Sequence, residues 1–87
     1  MNAHSKTVID LINKEQDREV QDQMIALHNR YKQALVGVRI AREQLKMIDD
    51  DFGTDHSEIL EQIRSVIASV KWSEIGLHEM ISDYARQ

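Results

Sequence analysis

Val20, Met24, Leu27, Tyr31, Ala34, Val38, Ala41, Leu45, Ile48 and Phe52 follow one another at alternating steps of four and three. That spacing draws one apolar stripe along a single long helix, and a stripe of such length has to be covered. A second stripe follows it: Ile59, Ile63, Val66, Val70, Ser73, Leu77, Ile81 and Tyr84, widened by Leu60, Ile67 and Met80. With no proline and three glycines in 87 residues, nothing in the chain argues against an all-α protein.

Between the stripes the punctuation is specific. Gly53 can take the left-handed backbone of a helix C-cap without steric cost. Thr54 or Asp55 can cap the next helix, and the Asp55–Glu58 spacing resembles a capping box. The expected long helices therefore run from about 20 to 51 and from about 55 to 85. A turn so short folds them back as an antiparallel hairpin, each arm about 45 Å long. Ahead of them, Val8, Ile9, Leu11 and Ile12 mark a short amphipathic helix, and the polar run from Asn13 to Glu19 marks a hinge. Residues 1–19 thus form a short N-terminal helix and hinge, and residues 20–87 the hairpin; one continuous helix from Ser5 onward is the competing reading.

Two helices cannot shield apolar faces this wide, and Trp72 lies off the main stripe. The hairpin is therefore expected to be closed by other copies, most simply through a two-fold axis, as a homo-oligomer. Gly37 agrees with this, because an interior helix glycine costs about 1 kcal/mol relative to alanine and one good reason to keep it is a close backbone crossing. Gly76 invites the same explanation.

The chain contains no cysteine, so disulfide stapling and thiolate chemistry are excluded. It opens without a signal-peptide pattern and has no apolar run near the roughly 20 residues of a membrane span, which leads us to expect a cytoplasmic protein without a membrane partner. A net charge of −4 argues against DNA or RNA as partner. That total hides an asymmetry. Between Arg30 and Lys46, five cations (Arg30, Lys32, Arg39, Arg42, Lys46) face the single anion Glu43, a local balance of +4 that leaves −8 on the remainder. Local charge decides which ligands are attracted.

Catalytic signals are weak. Among His4, His28, His56 and His78 no two are four apart and there is no His-Glu-x-x-His, so no metal ligand and no cofactor is assigned. Asp49-Asp50-Asp51 lacks the alternate-position spacing of a calcium loop and reads as a solvated turn. Glu58 and Glu61, with Glu79 and Asp83, partly match the carboxylate pairs by which all-helical nucleoside triphosphate pyrophosphatases hold magnesium. The second pair, however, is spaced by four rather than three. No catalytic residue is assigned.

The basic row is the better candidate. Lys32, Arg39 and Lys46 lie seven apart, with Arg42 between the last two. A phosphodiester ligand needs cations for its phosphates and a flat face for its bases, which Tyr31 could supply; stacking is worth roughly 1–3 kcal/mol per base. The alternatives are a solvated basic face and a Tyr31 that belongs to the core. On one straight helix Tyr31 and Lys46 lie about 22 Å apart along the axis. In an antiparallel pair of copies crossing beside Gly37 they come level, so a site using both would exist only in the oligomer.

These residues resemble a known family. The stretch from Tyr31 to Glu79 is similar to the helical-hairpin domain of the phage anti-CBASS proteins that act as sponges for cyclic nucleotide signals. The points of similarity are Tyr31, a lysine 15 residues later (Lys46), an acidic turn with serine (Asp55-His56-Ser57-Glu58), and the tryptophan stretch Val70-Lys71-Trp72-Ser73-Glu74-Ile75-Gly76-Leu77. The chain departs from the family pattern at Lys32 and Ala34, and at Leu77-His78-Glu79. The resemblance implies an all-helical oligomer, dimer-based and typically hexameric. It would bind cyclic dinucleotides such as cGAMP, or cyclic trinucleotides, between subunits without cleaving them, with Tyr31 stacking on a base and Lys46 contacting phosphate. Sequestration would block bacterial antiviral signalling in the host cytoplasm. The rival expectations are a helical interaction module that docks on a host protein, and the magnesium-dependent pyrophosphatase.

Overall fold

In the computed structural model, which describes residues 3–86 and the side chains from Thr7 onward, the chain is all-helical. Three helices follow in order: α1 (Ala3–Lys14), α2 (Arg18–Phe52) and α3 (Ser57–Ala85). Met1, Asn2, Gln87 and the His4 side chain lie outside the described residues. The 35 residues of α2 give a rod of about 52 Å, which sets the longest dimension of the molecule at 55 Å.

The continuous helix from Ser5 is not formed, because Asp17 stops it. Its backbone is extended, and its carboxylate accepts from the amides of Glu19 (3.0 Å) and Val20 (3.2 Å). A side-chain acceptor at that place satisfies orphan amides and starts α2 afresh. The helix then ends at Gly53, whose φ of 70° is left-handed and whose amide donates to the Asp49 carbonyl at 2.9 Å.

Asp49, expected as part of a solvated turn, instead organises the reversal. It accepts from Thr54 Oγ1 (2.7 Å), from the His56 amide (2.9 Å) and from His56 Nδ1 (2.5 Å). These bonds, led by that of Thr54, hold its carboxyl below the usual aspartate value. Helix α3 starts at Ser57, two residues later than expected. His56 occupies the N-cap without a side-chain cap bond, while Asp55 accepts from the Ser57 amide at 3.0 Å and from its hydroxyl.

The hairpin seam is rotated from the expected stripe. Along α2 one line of covered or half-covered positions runs Met24, His28, Tyr31, Leu35, Val38, Arg42, Leu45 and Asp49, again by fours and threes, with Val20, Gln21, Leu27 and Lys46 half-covered beside it. Of the sequence stripe, Val20, Met24, Leu27, Tyr31, Val38 and Leu45 are covered or half-covered, but Ala34, Ala41, Ile48 and Phe52 are exposed. On α3 the seam runs through Leu60, Ile63, Ile67, Val70, Glu74, His78 and Ile81, leaving Ile59, Val66, Leu77 and Tyr84 outside.

The physical cause is α1. It lies mainly against α3 and buries Val8 and Ile12 with Met24, flanked by Leu11, Val20, Ile75 and Ile81. Gln21 Nε2 donates to the Ile12 carbonyl (2.8 Å), and Ser82 Oγ donates to Glu15 (3.3 Å). These contacts pull the lower seam toward α1, and helical periodicity carries the rotation up the whole hairpin.

Candidate functional site

Because α1 spans only the lower end of the hairpin, its flank continues upward uncovered. Three helical turns on from Gln21, which bonds to α1, stands Lys32, and further steps of seven reach Arg39 and Lys46 on this open flank, with Arg42 between it and the seam. Lys32 and Arg39 are exposed, whereas Lys46 and Arg42 are half-buried. On α3, stepping back from Ser82 and Ile75, which face α1, reaches Lys71 and Arg64 on the same flank. The antiparallel register, fixed by His28 against Glu74, brings Lys32 level with Lys71 and Arg39 level with Arg64. The predicted row is therefore one side of a two-helix basic groove. Sequence reasoning missed its other side because Lys71 and Arg64 are far from the row in sequence and join it only through the hairpin register.

The cations of this groove are lightly committed. Lys46 Nζ donates to Glu43 at 3.4 Å and Arg64 lies 3.9 Å from Glu61; both are solvent-exposed pairs, a kind worth about 0–1 kcal/mol. Arg42 keeps its Nε buried without a hydrogen-bond partner. A buried donor in that state costs about 1–3 kcal/mol, which an anion would relieve. Arg39 also lines a shallow recess with Val36, Ile40, Glu43 and Gln44, and Lys32 one with Asn29, Gln33 and Val36.

Tyr31 sits differently. It is half-buried in the seam between α2 and α3, not on the open flank, so within one chain it does not join Lys46. Gly37 and Gly76 meet nothing within 4 Å at the place of a Cβ, so no backbone of the same chain explains either.

The opposite flank has another character. Helical stepping gathers Leu27, Ala34, Ala41, Ile48 and Phe52 from α2 with Ile59, Val66, Ser73, Leu77, Met80 and Tyr84 from α3, all exposed except the half-buried Leu27 and none charged. Phe52 and Tyr84 are each 77% exposed. Small residues occupy the middle and large ones the ends, and Gly37 and Gly76 border it. At its lower end Val20, Gln23, Met80, Ile81, Tyr84 and Ala85 line a recess of about 250 Å³.

The carboxylates of the pyrophosphatase reading stay apart. Glu58 and Glu61 lie at the start of α3 and Glu79 and Asp83 near its end, about 30 Å away along one rod, and all four are exposed. A single chain cannot converge them on one ion.

A polar cluster unassigned from the sequence joins α2 and α3. Glu74 and His78 are fully buried. Glu74 Oε2 is 2.7 Å from His28 Nδ1 and 3.2 Å from His78 Nε2. The signal was a glutamate and a histidine four apart on a helix, which a search for paired histidines passes over.

Among the described residues no helix is long and apolar enough to cross a membrane. Comparison with known protein families, curated proteins and solved structures gives no match to this chain.

Proposed function

We propose that this chain is a non-enzymatic binding protein that self-associates through its apolar flank and sequesters a cyclic oligonucleotide on its basic one. One observation carries the reading: the two flanks of a single hairpin are sorted by chemistry. Lys32, Arg39, Arg42, Lys46, Arg64 and Lys71 gather on the side left open above α1, while the residues gathered on the opposite side, from Leu27 to Tyr84, are uncharged. A rod with one cationic and one apolar side has a face for a compact polyanion and a face for its own copies.

The resemblance to the phage anti-CBASS sponges supplies the ligand class: a cyclic di- or trinucleotide, whose removal would silence a bacterial immune effector. The structure supports a change in emphasis. Phosphate capture rests on the basic groove, with Arg42 offering a donor already desolvated, and Tyr31 contributes a base-stacking face only where its exposed part reaches a bound ring. Titration calorimetry of the intact protein with a panel of cyclic di- and trinucleotides tests this, with the ligand recovered unaltered afterwards. Absence of heat across the panel overturns the reading.

A second reading, docking on a host protein, draws on the exposed Phe52, Leu77, Met80 and Tyr84. It predicts a chain that stays monomeric until its partner is present, whereas the sponge reading predicts assembly of the protein alone.

A further inference from the structure

We propose that His28, Glu74 and His78 form a binding site for one divalent transition-metal ion, zinc being the member of that class their chemistry fits best. The ligand atoms of the three side chains all lie within 4.8 Å of one another. Two imidazoles and one carboxylate are a donor set that zinc accepts at about 2.0–2.2 Å, leaving a fourth position open. At such bond lengths the atoms bound to a tetrahedral ion sit about 3.3 Å apart. Glu74 Oε2 already lies 3.2 Å from His78 Nε2, and its 2.7 Å from His28 Nδ1 needs to open by only a few tenths of an ångström.

Orientation agrees with distance. The two rings stand at 69° to each other with centroids 6.4 Å apart, so they approach from different directions rather than stacking. The scaffold is rigid: Glu74 and His78 are one turn apart on α3, and His28 comes from α2. An ion held there would tie the long helices together beside the apolar cluster that α1 closes. Glu74 and His78 are inaccessible to solvent, so an ion bound there would be held largely away from water. The His28 side chain keeps 13% of its surface exposed, which gives the ion a way in. Imidazole nitrogen selects zinc, copper or nickel over calcium and magnesium, which prefer oxygen alone.

The experiment uses the full chain stripped with chelator, titrated with zinc by calorimetry and with cobalt by visible absorption. The expected result is one ion per chain, intense tetrahedral cobalt bands and a raised melting temperature. His28→Gln or His78→Gln should each weaken uptake by about tenfold or more, while His56→Gln, remote at the turn, leaves it unchanged. Should a buried variant fail to fold, ring signals of the unaltered protein decide instead: on adding zinc, those of His28 and His78 should move and that of His56 should not. Substoichiometric uptake, or uptake that shifts only other histidines, overturns the proposal.

Discussion

His28 Nδ1 and Glu74 Oε2 meet at 2.7 Å across the hairpin, although 46 residues separate them in the chain. That contact fixes the register of α2 on α3, and therefore which cations face one another on the open flank. Removing the carboxylate leaves a buried His78 and a half-buried His28 imidazole facing a void. In chelator-treated protein, Glu74→Ala is expected to cost about 3 kcal/mol, the upper end of the scale for leaving buried polar groups without their hydrogen-bond partner. Glu74→Gln keeps the volume and a hydrogen-bonding carbonyl and should cost less. Urea unfolding of both variants measures the difference; equal stability of all three proteins would show that the contact is not structural.

Much of the fold was legible. Stripes with a helical period, the single glycine able to cap α2, and a run lacking proline left little besides a hairpin with a short leading helix. The break between α1 and α2 was legible only as a hinge, since no residue there must break a helix; Asp17 does so by out-competing the helical bonds of the amides it caps. What the sequence concealed was rotation. A stripe containing Met24, Leu27 and Tyr31 can turn inward by either edge, and with α1 docked the more polar edge of His28, Leu35 and Arg42 turns in while Ala34, Ala41 and Ile48 turn out. The same hidden choice moved Arg42 toward the seam and turned Tyr31 into it. Polar residues at buried positions, Glu74 and His78 above all, carry no periodic signal and appear only when the helices are laid together.

Gly53 permits a clean test of the turn. Nothing lies within 4 Å of the position its Cβ would occupy, so a side chain meets no steric obstacle outside the backbone itself. Any cost of Gly53→Ala must come from holding φ near 70°, which for an L-residue is about 1–2 kcal/mol. Gly53→Asn should lose less, because asparagine tolerates the left-handed region. Thermal melts of the two variants should rank in that order.

Asp49 makes the turn sensitive to acid. Its carboxyl titrates below the usual aspartate value, chiefly because Thr54 donates to the charged form, with His56 adding two further bonds. A group with a depressed folded value contributes stability that is fully present above about pH 3.9, its ordinary value, and is lost as pH falls through the depressed one. Wild-type protein should therefore lose stability below that point more steeply than Asp49→Asn, which has no proton to take up there. Parallel acid titrations by circular dichroism check the slopes.

If copies of the chain meet through the apolar flank, a buried charge there is intolerable while the same charge elsewhere is harmless. Leu77→Glu or Met80→Glu should shift the species seen in light scattering to the mass of a single chain, with helicity retained, since both side chains reach solvent in the isolated hairpin, Met80 the more freely. Val36→Glu is the control: Val36 is 51% exposed but lies on the outer side of α2, and the variant should assemble as before. Identical masses for all three proteins would leave the apolar flank without a role in self-association.

Ligand capture separates the groove from the seam. Arg39 is exposed and its hairpin neighbour Arg64 makes only a 3.9 Å surface pair, so Arg39→Glu should leave stability within about 0.5 kcal/mol. It should nevertheless abolish cyclic-nucleotide heat, because it replaces attraction of a polyanion by repulsion at the level where both helices present a cation. Binding by the unaltered protein should weaken as salt rises, as contacts between exposed charges do. Tyr31 answers a different question. Half-buried in the seam, Tyr31→Ala opens a void between α2 and α3 and should cost roughly 2 kcal/mol of stability. Tyr31→Leu refills much of that volume without a flat aromatic face. If Tyr31→Leu restores the melting temperature but not the heat of binding, the ring touches the guest; if both recover together, Tyr31 is packing and the cations alone hold the ligand.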